Sequence, residues 1–205
     1  GILREIMQGK RIILVTGTNG KTTTNGMIEK ICLENGIKCI VNRSGSNMVR
    51  GVVTAVIEEV SLSPKKWTDH ALLEVDEANL EKIVDLVTPD VIVVTNFFRD
   101  QLDRYGEIYT IHASVKRAVA KCPPSTKLVL NADDSLCASL AKSANKAAVF
   151  YGLSKTGMGG TETAGAGEND KGVNTDARFC IFCGNEYTFE YINYAHLGGF
   201  RCNSC

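Results

Sequence analysis

The sequence predicts an α/β fold with a doubly wound, mostly parallel sheet, to which a small four-cysteine module is added. Three observations support this prediction. Short apolar runs alternate with segments of helical periodicity throughout residues 1–153, as in sheets whose two faces are both covered by helices. A glycine-containing loop at residues 15–24 joins the first apolar run to the first long helical segment. Two Cys-x2-Cys pairs lie within residues 178–205.

The elements alternate regularly along the chain. Residues 1–10 are expected to form a short helix or arm, and a polar loop is expected at 97–106. The run at 90–96 is nearly all apolar, which is typical of a parallel strand that is buried on both faces. Strands are predicted at 11–16, 38–41, 70–75, 90–96, 127–131 and 147–151, and helices at 22–35, 51–61, 77–87, 107–121 and from 133 or 134 to 143.

Local signals support two of these helices. Gly36 is a plausible stop for the helix at 22–35. Asp133 or Asp134 can cap the last helix, because a carboxylate accepts hydrogen bonds from the free N–H groups at a helix start. Four residues of the helix at 22–35 recur at helical spacing and predict an amphipathic helix: Met27, Ile28, Ile31 and Cys32.

Length and composition limit the class of protein. A chain of 205 residues can hold one α/β domain and a small module. Its 23 basic and 23 acidic residues give a formal net charge of +0, which does not fit a generic nucleic-acid binder. It contains no apolar run of roughly 18 residues, so no membrane span is predicted. The eight cysteines are expected to be reduced thiols and metal ligands rather than disulfides.

Composition also changes along the chain. Residues 154–177 are rich in Gly, Thr, Asn and Ala and show no periodicity, which predicts a flexible connector. This connector would separate a phosphate-loop domain at 1–153 from a four-cysteine ribbon at 178–205.

The stretch at 15–24 has the pattern of a phosphate-binding loop: strand, glycine-containing turn, Lys-Thr, helix. Glycines let backbone N–H groups approach phosphate oxygens, and the helix start adds unpaired N–H groups. Lys21 can reach the terminal phosphates, and the Thr22 hydroxyl can bind Mg²⁺. Val15 stands where the general pattern has glycine, and an ordinary turn with a surface lysine is the alternative. The predicted nucleotide-binding residues are Gly17, Thr18, Asn19, Gly20, Lys21, Thr22 and Thr23.

Carboxylates follow the predicted strand at 70–75, on the edge of the sheet where the phosphate loop would lie. Glu74 is the preferred second Mg²⁺ ligand, because Mg²⁺ takes hard oxygen ligands. Asp76 and Glu77 are less favoured candidates. A helix start that is merely enriched in acids is the structural alternative.

The four-cysteine pattern has two Cys-x2-Cys pairs that are separated by 18 residues. Four thiolates in a tetrahedral arrangement indicate a closed, structural Zn²⁺ site, with a rubredoxin-type iron centre as the alternative. Tyr187, Phe189, Tyr191 and Tyr194 can form the apolar cover of such a ribbon, and His196 is interpreted as a packing or surface residue. The predicted zinc ligands are Cys180, Cys183, Cys202 and Cys205.

The loop Thr16-Gly17-Thr18-Asn19-Gly20-Lys21-Thr22-Thr23 resembles the ATP loop of the Mur ligase family, which folylpolyglutamate and cyanophycin synthetases share. The resemblance implies a Mur ligase central domain in which Glu74 binds the catalytic metal. The segment 96–106 resembles the family's Asn-x-x-x-Asp-His-x-Asp loop, with Gln101 in place of the histidine that helps to hold a second metal. Asn96 and Asp100 would then be catalytic, and Arg43, Asn47 and Gln101 would lie near the substrate. Lys116 is nearest in spacing to a lysine that many members carbamylate, but its flanking sequence does not match.

A four-cysteine ribbon within such a domain resembles the branch of the family that amidates lipid II. This resemblance implies ATP-dependent conversion of the D-glutamate α-carboxylate of the stem peptide to D-isoglutamine through an acyl phosphate. Ammonia would come from a GatD-type glutaminase subunit, and the enzyme would be cytoplasmic and act at the inner membrane face. Two alternatives are an amino-acid ligase of the Mur or folylpolyglutamate type and a non-catalytic ATP-binding module with a ribbon.

Overall fold

A six-stranded parallel sheet forms the centre of the molecule, and a two-stranded antiparallel hairpin lies beside it. The computed structural model describes residues 2–42, 47–59, 68–99, 107–153 and 177–205. The sheet strands are β1 Arg11–Thr16, β2 Cys39–Val41, β3 His70–Glu74, β4 Val91–Val94, β5 Lys127–Asn131 and β6 Ala148–Tyr151, and the hairpin consists of β7 Thr188–Tyr194 and β8 Leu197–Arg201. The helices are α1 Ile2–Met7, α2 Lys21–Glu34, α3 Val49–Glu59, α4 Leu80–Val84, α5 Glu107–Lys121 and α6 Ser135–Ala144.

The strand order is β2-β3-β1-β4-β5-β6, and all pairings in this sheet are parallel. The chain leaves β1 towards one edge of the sheet and leaves β4 towards the other, so the direction of winding changes between these two neighbours. Ligands of doubly wound folds bind outside the carboxyl ends of the strands at such a point. The predicted α/β class is therefore confirmed, and the loops that follow β1 and β4 adjoin each other.

The two faces of the sheet are covered unequally. The larger core cluster packs residues of α1, α3, α4, α5 and α6 on one face. On the other face Val15, Leu72 and Val93 form a small buried cluster, against which Ile28 of α2 packs. Burial on both faces explains why the β4 run is almost entirely apolar.

Helix α2 does not bury all of the apolar side chains that recur along it at helical spacing. Met27 and Ile31 are 56% and 63% exposed, whereas Asn25 is buried and Ile28 packs on the sheet. The helix that this spacing predicts is confirmed. It buries Asn25 and packs Ile28 on the sheet, while Met27 and Ile31 are exposed. Helix α4 is also shorter than the predicted 77–87, since residues 77–79 form a turn and the helix begins at Leu80.

The hairpin lies against the loops at the carboxyl end of the sheet. Gly198 N–H donates to the Asp133 carbonyl at 2.9 Å, and the Tyr191 hydroxyl donates to the Leu153 carbonyl at 2.8 Å. His196 is buried in this contact, which confirms it as a packing residue. The predicted connector lies outside the described residues apart from Ala177, which is buried in the larger core, and the domain boundaries stay predictions. None of the described helices has the length and the apolar character to cross a membrane.

Candidate nucleotide site and four-cysteine site

The loop between β1 and α2 contains two glycines with positive φ. Gly17 has φ +123°, and a Cβ there would lie 2.2 Å from Thr95 Oγ1 and 2.9 Å from the Asn96 backbone. Gly20 precedes α2 in the left-handed region, at φ 79°, and places no side-chain cap on the helix. The first N–H groups of α2 therefore have no side-chain acceptor, which suits an anionic ligand at this helix start.

Lys21 folds back over this loop. Its Nζ donates to the Gly17 carbonyl at 2.6 Å and to the Thr18 carbonyl at 3.1 Å, and lies 3.3 Å from Glu77 Oε2. Both members of this ion pair are largely buried. Sequence reasoning ranked Glu77 below Glu74, and no periodic signal could show that it meets Lys21.

Glu74 ends β3 directly beside Val15 of β1, so it lies at the same edge as the phosphate loop. Glu74 is buried. The Asn42 side-chain amide makes two hydrogen bonds to the Glu74 backbone: its Oδ1 accepts from the Glu74 N–H at 2.8 Å, and its Nδ2 donates to the Glu74 carbonyl at 2.7 Å. Sequence reasoning missed Asn42. Its signals were an amide residue directly after the predicted strand at 38–41 and its place in the segment Asn42-Arg43-Ser44-Gly45, which also resembles the family.

The other acidic and substrate candidates are Asp76 and Asn47, whose contacts the structure describes, and three residues outside its described part. Asp76 Oδ1 accepts from Ala78 N–H at 3.0 Å and from the Asn79 amide, which is the turn role that the structural alternative predicts. Asn47 lies next to it, because the Asn47 carbonyl accepts from Asp76 N–H at 2.9 Å. The remaining candidates, Arg43, Asp100 and Gln101, lie outside the described residues.

Asn96 binds the phosphate loop through both ends of its amide. Its Oδ1 accepts from Asn19 N–H at 2.9 Å, and its Nδ2 donates to the Asn19 carbonyl at 3.0 Å. Its backbone carbonyl accepts from Thr18 N–H at 2.8 Å. In this arrangement Asn96 fixes the loop, and its catalytic role stays a prediction.

Asp134 ties the loop after β4 to the start of α6. Its Oδ1 accepts from the N–H groups of Leu136 and Cys137 at 2.9 and 3.2 Å, so Asp134 rather than Asp133 caps the helix. Its Oδ2 accepts from Phe97 N–H at 2.7 Å. The carboxylate thus satisfies three backbone donors while fully buried.

Replacing Asp134 by alanine is expected to lower the free energy of unfolding by about 2–4 kcal/mol. The lost cap accounts for about 1 kcal/mol, and the unpaired buried N–H of Phe97 adds about 1–3 kcal/mol. Urea denaturation followed by circular dichroism measures the loss. Asp134→Asn keeps one acceptor oxygen and should lose less, and an alanine variant with the parental unfolding midpoint would contradict this role.

The four predicted cysteines come together in space. Their sulfur atoms all lie within 4.8 Å of one another, and three of the separations are 3.4, 3.5 and 3.6 Å. A tetrahedral site with Zn–S bonds of about 2.3 Å has S···S edges of about 3.8 Å, so the donor set fits Zn²⁺. Gly184, at φ 76°, donates its N–H to the Cys180 carbonyl and closes the first turn. Tyr187 packs on Phe200 beneath the cluster, whereas Tyr194 is exposed.

Hydrogen bonds link the four thiols of this cluster. Hydrogen bonding to Cys180 raises the pKa of the Cys205 thiol to about 12. Burial by itself would raise the pKa of Cys180, but hydrogen bonds from the Phe182 backbone and the Tyr187 hydroxyl lower it to about 6. One readily ionised thiol beside a protonated one suits a metal that displaces the remaining protons when it binds.

The family model of the Mur ligase middle domain matches residues 15–198, from the last part of β1 to the hairpin. The chain belongs to the Mur ligase family. This match includes both the phosphate loop and the first cysteine pair, so the four-cysteine segment lies largely within the matched region of a Mur ligase middle domain.

The curated relatives include subunits that are named MurT. The lipid II isoglutaminyl synthase (glutamine-hydrolyzing) subunit MurT of Staphylococcus aureus strain COL is 36% identical over 202 residues, which are 98% of this chain and 43% of that protein. The MurT subunit of Streptococcus pneumoniae strain R6 is 35% identical over 204 residues, covering 100% of this chain and 43% of its own length. These matches support a MurT-type Mur ligase. The chain spans less than half the length of either relative.

Solved Mur ligases share the fold. MurF of Thermotoga maritima in complex with ADP has a TM-score of 0.59 at 21% identity, covering 76% of this chain and 36% of that chain. MurF of Acinetobacter baumannii has a TM-score of 0.61 at 20% identity, covering 75% of this chain and 33% of that chain.

Proposed function

We propose that this chain is the ATP-binding part of a MurT-type synthetase that amidates lipid II. The observation that carries the proposal is the phosphate loop, with Lys21 folded over it, in a chain that resembles MurT subunits along its whole length. The substrate would be the α-carboxylate of D-glutamate in the stem peptide, and the product would be D-isoglutamine.

The residues at the loop fit a nucleoside triphosphate. The start of α2, which has no side-chain cap, leaves backbone N–H groups for phosphate oxygens. The Lys21 ammonium would neutralise charge on the terminal phosphates, and its ion pair with Glu77 orients it. Glu77 is thereby a positioning residue for Lys21. The loop residues from Gly17 to Thr23 would hold the nucleotide.

Magnesium would be held by the Thr22 hydroxyl and Glu74. Both lie near the carboxyl end of β1, since Glu74 pairs with Val15 and Thr22 is in the first turn of α2. Hydroxyl and carboxylate oxygens are the ligands that Mg²⁺ prefers, and the ion would draw charge away from the transferred phosphoryl group.

The proposed reaction has two steps, phosphoryl transfer to the carboxylate and displacement of phosphate by ammonia. A carboxylate oxygen attacks the γ-phosphorus of ATP, and the bond between this phosphorus and the β–γ bridging oxygen breaks. The products are an acyl phosphate and ADP. Ammonia then attacks the acyl carbon, phosphate leaves with the C–O electron pair, and the nitrogen loses a proton to give the amide. The protein's part is positioning and charge neutralisation. Asn47 and the segment Asn96 to Asp100, with Arg43 and Gln101, would lie near the carboxylate.

The four cysteines would hold a structural Zn²⁺. A four-thiolate site leaves no open coordination position for chemistry, and the cluster lies at one end of the hairpin. Because the hairpin is short and buries few apolar side chains, a metal would supply much of its stability.

The partner would be a GatD-type glutaminase that releases ammonia, and the lipid II substrate would place the enzyme in the cytoplasm at the inner face of the membrane. The names of the MurT relatives, which include the words glutamine-hydrolyzing and subunit, support this assembly. A role in nucleic-acid binding is not proposed, since basic and acidic residues balance.

Mass spectrometry of lipid II tests this proposal. The intact protein is incubated with lipid II, a GatD-type glutaminase, glutamine and MgATP, and conversion of one stem-peptide carboxylate to a carboxamide is expected. The same mixture without glutamine or without glutaminase is the control. ATP hydrolysis that a free amino acid stimulates, without amidation, would indicate an amino-acid ligase instead. ATP binding with neither reaction would leave a non-catalytic module.

A further inference from the structure

The turn of the hairpin covers a side chain of the loop that follows β4. His196 lies in this turn, between β7 and β8, and is only 3% exposed. Its ring centroid lies 4.7 Å from that of Phe98, and the Tyr194 ring lies 5.9 Å from Phe98. The four-cysteine module therefore contacts Phe98 through the ring of Tyr194, at the end of β7, and the ring of His196, in the turn.

Phe98 in turn holds the phosphate loop. Its N–H donates to Thr18 Oγ1 at 3.0 Å, and the same hydroxyl lies 3.4 Å from the Phe98 carbonyl. Thr18 also donates its backbone N–H to the Asn96 carbonyl. One residue thus separates the hairpin turn from the loop that would bind phosphate.

The His196 ring also approaches the Asp134 carboxylate. His196 Nε2 lies 3.8 Å from Asp134 Oδ2, the oxygen that accepts from Phe97 N–H. This distance is too long for a hydrogen bond, and within the described part of the chain neither ring nitrogen of His196 has a hydrogen-bond partner. The ring is therefore held by packing, at the junction of the hairpin, the β4 loop and the cap of α6.

We propose that His196 is a positioning residue for the nucleotide site. Its ring sets the place of Phe98, and Phe98 sets the place of Thr18 in the phosphate loop. The four-cysteine module would then contribute to nucleotide affinity as well as to its own folding. This inference rests on the proposed binding of ATP, and it gives His196 no contact with the reacting atoms.

The test compares the KM for MgATP with kcat in the amidation assay, using the intact protein with its glutaminase. His196→Ala is expected to raise the KM for MgATP on the order of tenfold, as coupling between neighbouring sites commonly does, while kcat at saturating MgATP changes less. His196→Phe keeps an aromatic ring against Phe98 and is expected to restore the parental KM. Loss of correctly folded protein would reduce kcat and leave the KM unchanged.

Phe182→Ala is the matched control within the same module. The Phe182 ring packs against Lys142 of α6, whose Nζ lies 4.6 Å from the ring centroid. Phe182 has no described contact with Phe98 or Thr18. Its KM for MgATP should match the parent. Bound zinc and thermal unfolding are measured for each variant.

If His196→Ala loses zinc, Phe98→Leu removes the ring while the hairpin sequence stays intact, and the same rise in KM is expected. A folded, zinc-loaded His196→Ala or Phe98→Leu variant with the parental KM would overturn the inference. Failure of the parent protein to bind MgATP would instead overturn the proposed function, so the two failures are distinguishable.

Discussion

Lys21→Ala is expected to reduce kcat/KM for amidation by about 10²–10³-fold in the intact protein with its glutaminase. The ammonium lies over the Gly17 and Thr18 carbonyls, where it would meet the charge that develops on the transferred phosphoryl group. Loss of one such preorganised charged donor costs about 3–4 kcal/mol of transition-state stabilisation. Initial rates of carboxamide formation at varied MgATP measure the loss.

Two variants sharpen this test. Lys30→Ala removes an exposed ammonium from the same helix and should keep the parental rate. Lys21→Arg keeps the charge but should not restore activity, because a planar guanidinium does not fit the place of a compact ammonium between two carbonyls. Since Lys21→Ala also leaves the buried Glu77 carboxylate unpaired, thermal unfolding is followed in parallel. An alanine variant that turns over ATP at the parental rate would contradict the role of Lys21.

Removal of the proposed Zn²⁺ from the four-cysteine site is expected to unfold the four-cysteine module at 177–205. Cys183→Ser breaks the set of four thiolates, which all lie within 4.8 Å of one another. Structural zinc sites supply folding free energy directly, on the order of 10 kcal/mol in small zinc-dependent peptides. Zinc content by plasma mass spectrometry and hydrogen exchange of the hairpin amides measure the two effects.

The control for this prediction is Cys32→Ser, which removes a partly exposed thiol outside the cluster. This variant should retain one equivalent of zinc and a protected hairpin. Protection of the hairpin amides after complete chelation would contradict a structural metal. A bound iron with a tetrathiolate absorption spectrum would show that the site is of the rubredoxin type.

Features that depend on a few neighbouring residues were predictable from the sequence. The bounds of β1, β5 and α5 agree with the predicted segments, because periodicity and flanking polar residues are local signals. The phosphate loop and the two cysteine pairs were found for the same reason, since each combines glycine or cysteine with a fixed spacing.

Features that depend on sheet order were not predictable in this way. The Asn42 amide holds Glu74 only because β2 and β3 are neighbours, and the Asn96 amide holds Asn19 only because β1 and β4 are neighbours. Likewise, the spacing of Met27 and Ile31 does not show that these two side chains are exposed. Single-sequence periodicity carries no information on which strands adjoin.

The strand order also has a consequence for synthesis on the ribosome. The central strand β1 pairs only with β3 and β4, and Ile12 N–H donates to an Asp90 carboxylate that lies 78 residues later in the chain. At roughly 5–20 residues per second, Ile12 is made roughly 4–16 s before this partner. Its apolar run has no native strand neighbour until β3 is made, since His70, the partner of Arg11, follows it by 59 residues. Chaperones that bind extended apolar segments are therefore expected to meet the nascent chain at β1.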